Sequence, residues 1–407
     1  MSEAAQAGGS RDKTILLAGL ITYGIGQSLL YVIFGPLARD IGLTETQFGV
    51  LISASNVALI FSSPRWGRAS DRLGRRAVFV TGLVGFAVGY AGLALGVQVG
   101  LWGWMVATPL FLVLLVARLV YGVFAGGVNP AAAAYIADTT DSASRAKGMA
   151  LVAASGGIGS ILGPAVGGVL AEVGPVFPMY AAAAVALLAA GWARLGLVEP
   201  PRHASNPEVP RLKFTDPRIF PYLYGWFIIF LVFTAVQVIT AFYVSDQIGI
   251  SGRQAVIRVT SLALVSMALV TVIVQVVVMQ TVKLQPRLLL RISLICFGLS
   301  LWVLAAVSSV AGLVVAYALM GLTASFAMPS LSAAASLSVE SHEQGAAAGL
   351  LTAAPTLGMI FGPALGAALY QQNIFLPLYL GGAAMILSGV YFWFVKVPAA
   401  HVAAAPA

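Results

Sequence analysis

Arg118 is the residue best placed to do chemistry, because nothing around it shares its charge. It stands in the run Phe111 to Gly122, FLVLLVARLVYG, which holds no other ionisable side chain except Tyr121. A cation in such a run is costly to place in lipid, so it must face protein or water and find an acceptor. The chemistry it offers is recognition of an anionic group or a part in proton coupling. A second constellation is Gly67-Arg68-Ala69-Ser70-Asp71-Arg72-Leu73-Gly74-Arg75-Arg76. Asp71 can accept charge-assisted hydrogen bonds from an arginine or a helix N-terminus. Gly67 and Gly74 read as residues that permit a tight reversal. The third pattern is Gly156-Gly157-Ile158-Gly159-Ser160-Ile161-Leu162-Gly163-Pro164-Ala165-Val166-Gly167-Gly168. Glycines four apart share one helix face and let another backbone approach, and Pro164 can kink that helix.

Other chemistry finds no residues to carry it. The sequence has no H-E-x-x-H zinc motif and no G-x-x-x-x-G-K-[ST] phosphate loop, which argues against an enzyme or an ATP-driven pump. His203, His342 and His401 all fall in connecting segments, and no acid falls at mid-depth in any apolar segment. No cofactor or metal is expected. The single cysteine, Cys296, rules out a disulfide framework.

The elements that must position these residues are membrane helices. Of the 407 residues, 59% are hydrophobic and 9% charged, with a mean hydropathy of +0.94. A soluble domain carries roughly 25% charged residues. A span needs about 20 apolar residues, and twelve such segments can be drawn: 14–38, 47–65, 77–99, 106–137, 145–171, 176–198, 218–245, 255–282, 288–308, 310–337, 344–371 and 375–397. With Met1 inside, 18 basic residues fall in cytoplasmic segments, and only Arg39, Arg253 and Arg258 fall outside. That asymmetry predicts both termini in the cytoplasm. The net charge of +8 is divided among many short loops, which argues against nucleic acid as a partner. The segment Met1–Lys13 predicts no cleaved signal peptide.

The polar, proline-rich stretch 199–217 reads as a cytoplasmic linker between the domains 1–198 and 218–407. The two domains align at a shift of 199 residues. Gly122 falls on Gly321, Pro130 on Pro329, and Gly159, Gly163, Pro164 and Gly167 on Gly358, Gly362, Pro363 and Gly366. Six spans return the chain to the same side, so the repeats are parallel, one of the known transporter architectures. The expected fold is an all-α membrane protein of twelve transmembrane helices in two pseudo-symmetric six-helix bundles.

The motifs together resemble the major facilitator superfamily, and within it the twelve-helix drug:proton antiporters. Gly67 to Arg76 resembles the loop signature G-x-x-x-D-x-x-G-R-[RK]. Arg118 to Gly122 resembles the R-x-x-x-G element, and Gly159 to Gly168 the signature G-x-x-x-G-P-x-x-G-G. The resemblance implies a cytoplasmic gating latch of Gly67, Asp71, Gly74, Arg75, Arg76 and Asp138. It implies a hinge or seal at Gly159, Gly163, Pro164, Gly167, Gly168, Gly362 and Pro363. It also implies a cavity lined by spans one, four, seven and ten, where Gln27, Tyr31, Arg118, Tyr121, Asn129, Gln237 and Tyr317 would serve substrate or proton coupling. The implied function is proton-coupled efflux of a small amphiphilic compound by rocker-switch alternating access. The partners would be a small-molecule substrate, protons and the lipid bilayer, with the chain acting as a monomer in a bacterial-type cytoplasmic membrane. The sequence departs from the pattern in the first span, where many proton-driven relatives carry a carboxylate and this chain has Gln27, Ser28 and Tyr31. An arginine without a mid-depth acid makes the expected cavity positive and points to an anionic or zwitterionic substrate, such as a drug, metabolite or siderophore. Import by proton symport and a non-transporting sensor or scaffold are the alternatives.

Overall fold

The computed structural model describes residues 3–140, 142–200, 212–278, 285–340 and 343–395; His203, His342 and His401 lie outside these, as does most of the linker. The described residues form helices and no strands. They are α1 (Glu3–Asp40), α2 (Glu45–Leu73), α3 (Arg75–Leu101), α4 (Ala107–Ala125), α5 (Val128–Thr139), α6 (Ser142–Leu170), α7 (Phe177–Gly196), α8 (Phe220–Asp246), α9 (Arg253–Ile273), α10 (Pro286–Ala305), α11 (Val310–Ser336), α12 (Gln344–Gln372) and α13 (Leu376–Phe394). Among the described residues twelve helical segments are long and apolar enough to cross a membrane, with α4 and α5 counted as one span. Large apolar side chains such as Trp104, Leu188 and Leu195 are left exposed. A surface of this kind fits a hydrocarbon surround.

Local chemistry sets the helix ends. Thr44 caps α2 through its side chain, and Gln47 reaches back to the Thr44 backbone, completing a capping box. Pro178, Pro221, Pro286 and Pro377 open α7, α8, α10 and α13 in the first turn, where a missing N–H costs nothing.

Two boundaries differ from the sequence expectation. The segment 106–137 is broken at Gly126 and Gly127. Pro130 has no N–H to offer the carbonyl four residues earlier, and a side chain at Gly126 would meet Leu59 O at 2.8 Å. The second difference corrects the reading of Gly67 as part of a reversal. Helix α2 runs on through Leu73, so Gly67, Ser70 and Asp71 are helical. Only Gly74, at φ +102, makes the turn. A left-handed φ of this kind suits glycine alone.

The chain divides into two compact units. Unit 1 is Met1–Ala204 with Ile250–Leu262, and unit 2 is Ser205–Gly249 with Ala263–Ala407. Ile250–Leu262 follows packing rather than chain order. Arg253 pairs with Asp40, Arg258 Nε with Glu172 at 2.5 Å, Gln254 Nε2 donates to Ala171 O at 2.7 Å, and Ser261 Oγ donates to Pro164 O at 2.5 Å.

Within each unit the same packing scheme recurs. In unit 1, α1 packs on α6, and α3 packs on α4 and α7; in unit 2, α8 packs on α12, and α10 on α11 and α13. The contacts repeat at the level of single hydrogen bonds. Ser28 Oγ donates to Gly159 O at 3.1 Å, and Thr234 Oγ1 to Gly358 O at 3.4 Å. Ser62 Oγ donates to Gly122 O and Thr271 Oγ1 to Gly321 O, each at 3.1 Å. Such bonds contribute only about 0.6 kcal/mol each in a membrane protein. Close backbone packing therefore carries most of the stability, and glycines make it possible.

Candidate functional site

Arg118 lies on α4 and is buried, with 4% of its surface exposed. One turn further along, Gly122 brings α4 against α2, where an added Cβ would meet Ala58 Cβ at 2.8 Å. That approach brings Ser55 within reach. Arg118 Nη2 donates to Ser55 Oγ at 2.5 Å, and Ser55 Oγ donates in turn to Ile52 O at 2.7 Å. The guanidinium lies 4.5 Å from the centroid of the Tyr121 ring, a cation–π arrangement. Among the described residues Arg118 Nε is buried without a hydrogen-bond partner.

Aromatic side chains enclose this group. Gly89 lets α3 meet α4 so closely that an added Cβ would lie 2.8 Å from Tyr121 Cα. Tyr90 and Tyr121 meet edge to face at 5.8 Å, and Phe86 stacks on Tyr90 at 4.4 Å. Tyr90 Oη donates to Gly26 O. From α1, Tyr23 packs edge-on to Phe86 at 5.6 Å, and Gln27 Nε2 donates to Tyr23 Oη at 2.6 Å. Tyr31, also on α1, is half-buried.

Unit 1 therefore links Arg118, Tyr121 and Gln27 through Phe86 and Tyr23, with Tyr31 one turn beyond Gln27 on α1. Asn129 stands apart, exposed in the first turn of α5. Gln237 and Tyr317 belong to unit 2, where Tyr317, at the repeat position of Arg118, is buried and bonds Thr240 Oγ1 at 2.7 Å. One repeat thus carries a cation where the other carries a neutral hydroxyl pair.

Arg75, Arg76, Asp71 and Asp138 form a second network in unit 1. Arg75 Nε donates to Asp138 Oδ2 at 2.9 Å, and its Nη1 lies 2.6 Å from both Asp71 Oδ1 and Ser70 Oγ. Asp138 is mostly buried at 15% side-chain exposure, while Asp71 is 53% exposed. Arg76 Nη1 donates to Leu197 O at 3.2 Å.

In the glycine pattern of α6, Gly159, Gly163 and Gly167 face α1, while Gly168 faces α9. A Cβ at Gly159 would lie 2.6 Å from Gly24 Cα, and one at Gly163 would meet Ile25 O at 2.6 Å and Leu29 N at 2.9 Å. Gly167 faces Leu29 Cβ at 3.1 Å, and Gly168 faces Ser261 Oγ at 2.5 Å. Gly156 and Gly157 have nothing within 4 Å. In unit 2, Gly362 of α12 would meet Leu231 O at 2.5 Å, with Pro363 buried beside it.

Three further carboxylates, Asp40, Glu172 and Asp246, are engaged. Asp40 pairs with Arg253, Glu172 with Arg258, and Asp246 accepts from Tyr370 Oη at 2.8 Å. The hydrogen bond from Arg258 holds the Glu172 carboxyl below its ordinary range, which makes it a poor proton carrier near neutral pH. Among the described residues no group of His, Cys, Asp and Glu could hold a metal ion.

Residues beyond the expected set join these networks, among them Ser55, Tyr90 and Glu199, whose carboxylate accepts from the Arg75 and Arg76 backbone. The signal for Ser55 is the polar cluster Ser53, Ser55 and Asn56 inside an otherwise apolar span. Tyr90 has only its place among the glycines of α3 as a signal. Glu199 has none, because its partners are about 120 residues away in sequence.

Twelve apolar spans among the described residues, a packing scheme repeated in two units and a buried arginine fit an integral membrane transporter. The chain belongs to the Major Facilitator Superfamily, whose family model matches residues 16–283 and 257–407. It is 28% identical over 373 residues to Multidrug resistance protein 1 of Bacillus subtilis (strain 168), covering 90% of this chain and 91% of that protein. It is 34% identical over 170 residues to the quinolone resistance protein NorA of Staphylococcus aureus (strain MRSA252), covering 42% of this chain and 40% of that one. Among solved structures, a bacterial homolog of the human lysosomal transporter Spinster, inward-facing and occupied, matches with a TM-score of 0.71 at 16% identity, covering 97% of this chain and 96% of that one. The human organic anion transporter MFSD10 (TETRAN) matches with a TM-score of 0.63 at 19% identity, covering 94% and 99%. At these identities the two structures speak for the fold alone.

Proposed function

We propose that this transporter exports small amphiphilic compounds bearing a negative charge or a carboxylate, in exchange for protons, by rocker-switch alternating access. The observation that carries the substrate class is Arg118, a buried guanidinium whose Nε has no acceptor among the described residues. A buried donor left unpaired costs about 1–3 kcal/mol, more when charged. A ligand carboxylate or other anionic oxygen in reach removes that cost and gains a charge-assisted hydrogen bond. Export is supported by the multidrug resistance relative that spans nine-tenths of the chain and by the glycine-proline pattern of α6. Proton coupling is supported by resemblance. In this reading Asp71, Arg75 and Asp138, with Gly67, Gly74 and Arg76, act as a cytoplasmic latch. Gly159, Gly163, Pro164, Gly167 and Gly168, with Gly362 and Pro363, serve as the hinge or seal. The chain works as a monomer in a bacterial-type cytoplasmic membrane with both termini inside.

The test uses purified protein in liposomes with an imposed pH gradient. Anionic and cationic fluorescent dyes of matched size are offered in parallel. The expected result is gradient-driven movement of the anionic dyes that depends on Arg118. Strong transport of cations that is insensitive to Arg118→Ala would overturn the substrate class.

A further inference from the structure

Glu199 follows the end of α7 and has no role in the signatures described above. Its two carboxylate oxygens accept from the backbone N–H groups of Arg75 and Arg76, the second at 3.1 Å. These are the first two N–H groups of α3, which have no partner inside their own helix. The N-cap residue is Gly74, which has no side chain to cap with. A carboxylate at a helix N-terminus is favoured by both the free donors and the helix dipole. Gly74 therefore serves two needs. It takes the left-handed turn, and it leaves room for the carboxylate, since an added Cβ would lie 2.8 Å from both Glu199 oxygens.

The neighbours of Glu199 are held as well. Leu197 O accepts from Arg76 Nη1 at 3.2 Å, and Val198 O from Tyr135 Oη at 2.7 Å. Three consecutive residues at the exit of α7 are thus fixed to α3 and α5. Arg75 meets three acids: Asp138 and Asp71 at its side chain, and Glu199 at its backbone.

We propose that Glu199 is a positioning residue that holds the Gly74-Arg75 turn so that the Arg75 guanidinium reaches Asp138 and Asp71, coupling the exit of α7 to that network. The proposal rests on the latch reading given above. In unit 2 the far end of the inter-repeat connection is fixed in a comparable way, with Arg218 donating to both Asp216 and Glu343.

The test needs no knowledge of the substrate. Cys296 is replaced by serine, and Gln27→Cys then supplies a single thiol. The rate at which a membrane-impermeant maleimide labels it from the cytoplasmic face is measured in the full-length protein. Arg75→Ala is expected to raise that rate. Glu199→Ala is expected to raise it about tenfold, the scale of a lost helix cap acting on the latch. The double variant is expected to match Arg75→Ala within about twofold, because residues acting through one another are not additive. Glu199→Gln, which keeps one acceptor, is expected to fall between wild type and Glu199→Ala, and it carries the same comparison if the alanine variant does not assemble. A normal rate in Arg75→Ala would remove the latch reading and this proposal together. A raised rate in Arg75→Ala with no change in either Glu199 variant, or with fully additive effects, would overturn the Glu199 proposal alone.

Discussion

Arg118→Ala is expected to lower transport by about 100-fold or more while the protein still inserts and purifies as wild type, a loss matching about 3 kcal/mol of interaction with an anionic group. The guanidinium is 4% exposed, faces a ring at 4.5 Å and has one hydroxyl acceptor in Ser55. Among the described residues its Nε has no hydrogen-bond partner. Burying a charge under these conditions works against stability. Removing it should therefore leave the unfolding temperature unchanged or raise it. That is the contrast between a functional arginine and one that merely props up the bundle. Arg118→Lys is expected to fail nearly as completely, because an ammonium lacks the planar fork and stacks poorly on Tyr121. Thermal unfolding and dye flux, measured on the same preparations, check both statements. A variant that unfolds at a much lower temperature yet transports normally would assign Arg118 to structure.

Gly163→Leu is expected to prevent assembly of the α1–α6 pair, at a cost of about 3 kcal/mol or more. The reason is what surrounds the position. An added Cβ would meet Ile25 O at 2.6 Å and Leu29 N at 2.9 Å, and both are backbone atoms that cannot rotate away. Ser28, which donates to Gly159 O across the same contact, would also be displaced. The control lies in the same helix: Gly156 has nothing within 4 Å, so Gly156→Leu should be tolerated. Size-exclusion profiles of detergent-solubilised variants separate the two. Equal behaviour of Gly163→Leu and Gly156→Leu would mean that the α1–α6 contact is looser than described.

Much of this architecture is legible from composition and spacing. Long apolar segments read as membrane helices, and repeated glycines and prolines at one offset announce the packing scheme that recurs within each unit. Arg118 stands out because a charge inside lipid-length apolar sequence demands an explanation. What stays hidden depends on contacts between distant residues. Ser55 becomes the partner of Arg118 only because Gly122 draws α2 and α4 together. Glu199 becomes the cap of α3 only because α7 ends beside the Gly74 turn. The continuation of α2 through Gly67 is hidden for another reason, since a single glycine lowers helix propensity by only about 1 kcal/mol and tertiary packing outweighs it. The grouping of Ile250–Leu262 with unit 1 likewise follows from ion pairs and a serine hydroxyl on Pro164 O, which no local pattern announces.

The most direct test of the whole account is thiol accessibility from each side of the membrane. With Cys296 replaced by serine and Gln27→Cys as the only thiol, an impermeant maleimide is applied to sealed vesicles of either orientation. The account predicts labelling from both faces, with the ratio of the two rates shifting when a transported anion or a pH gradient is present. Labelling from one face only, unchanged by anion or gradient, would contradict it.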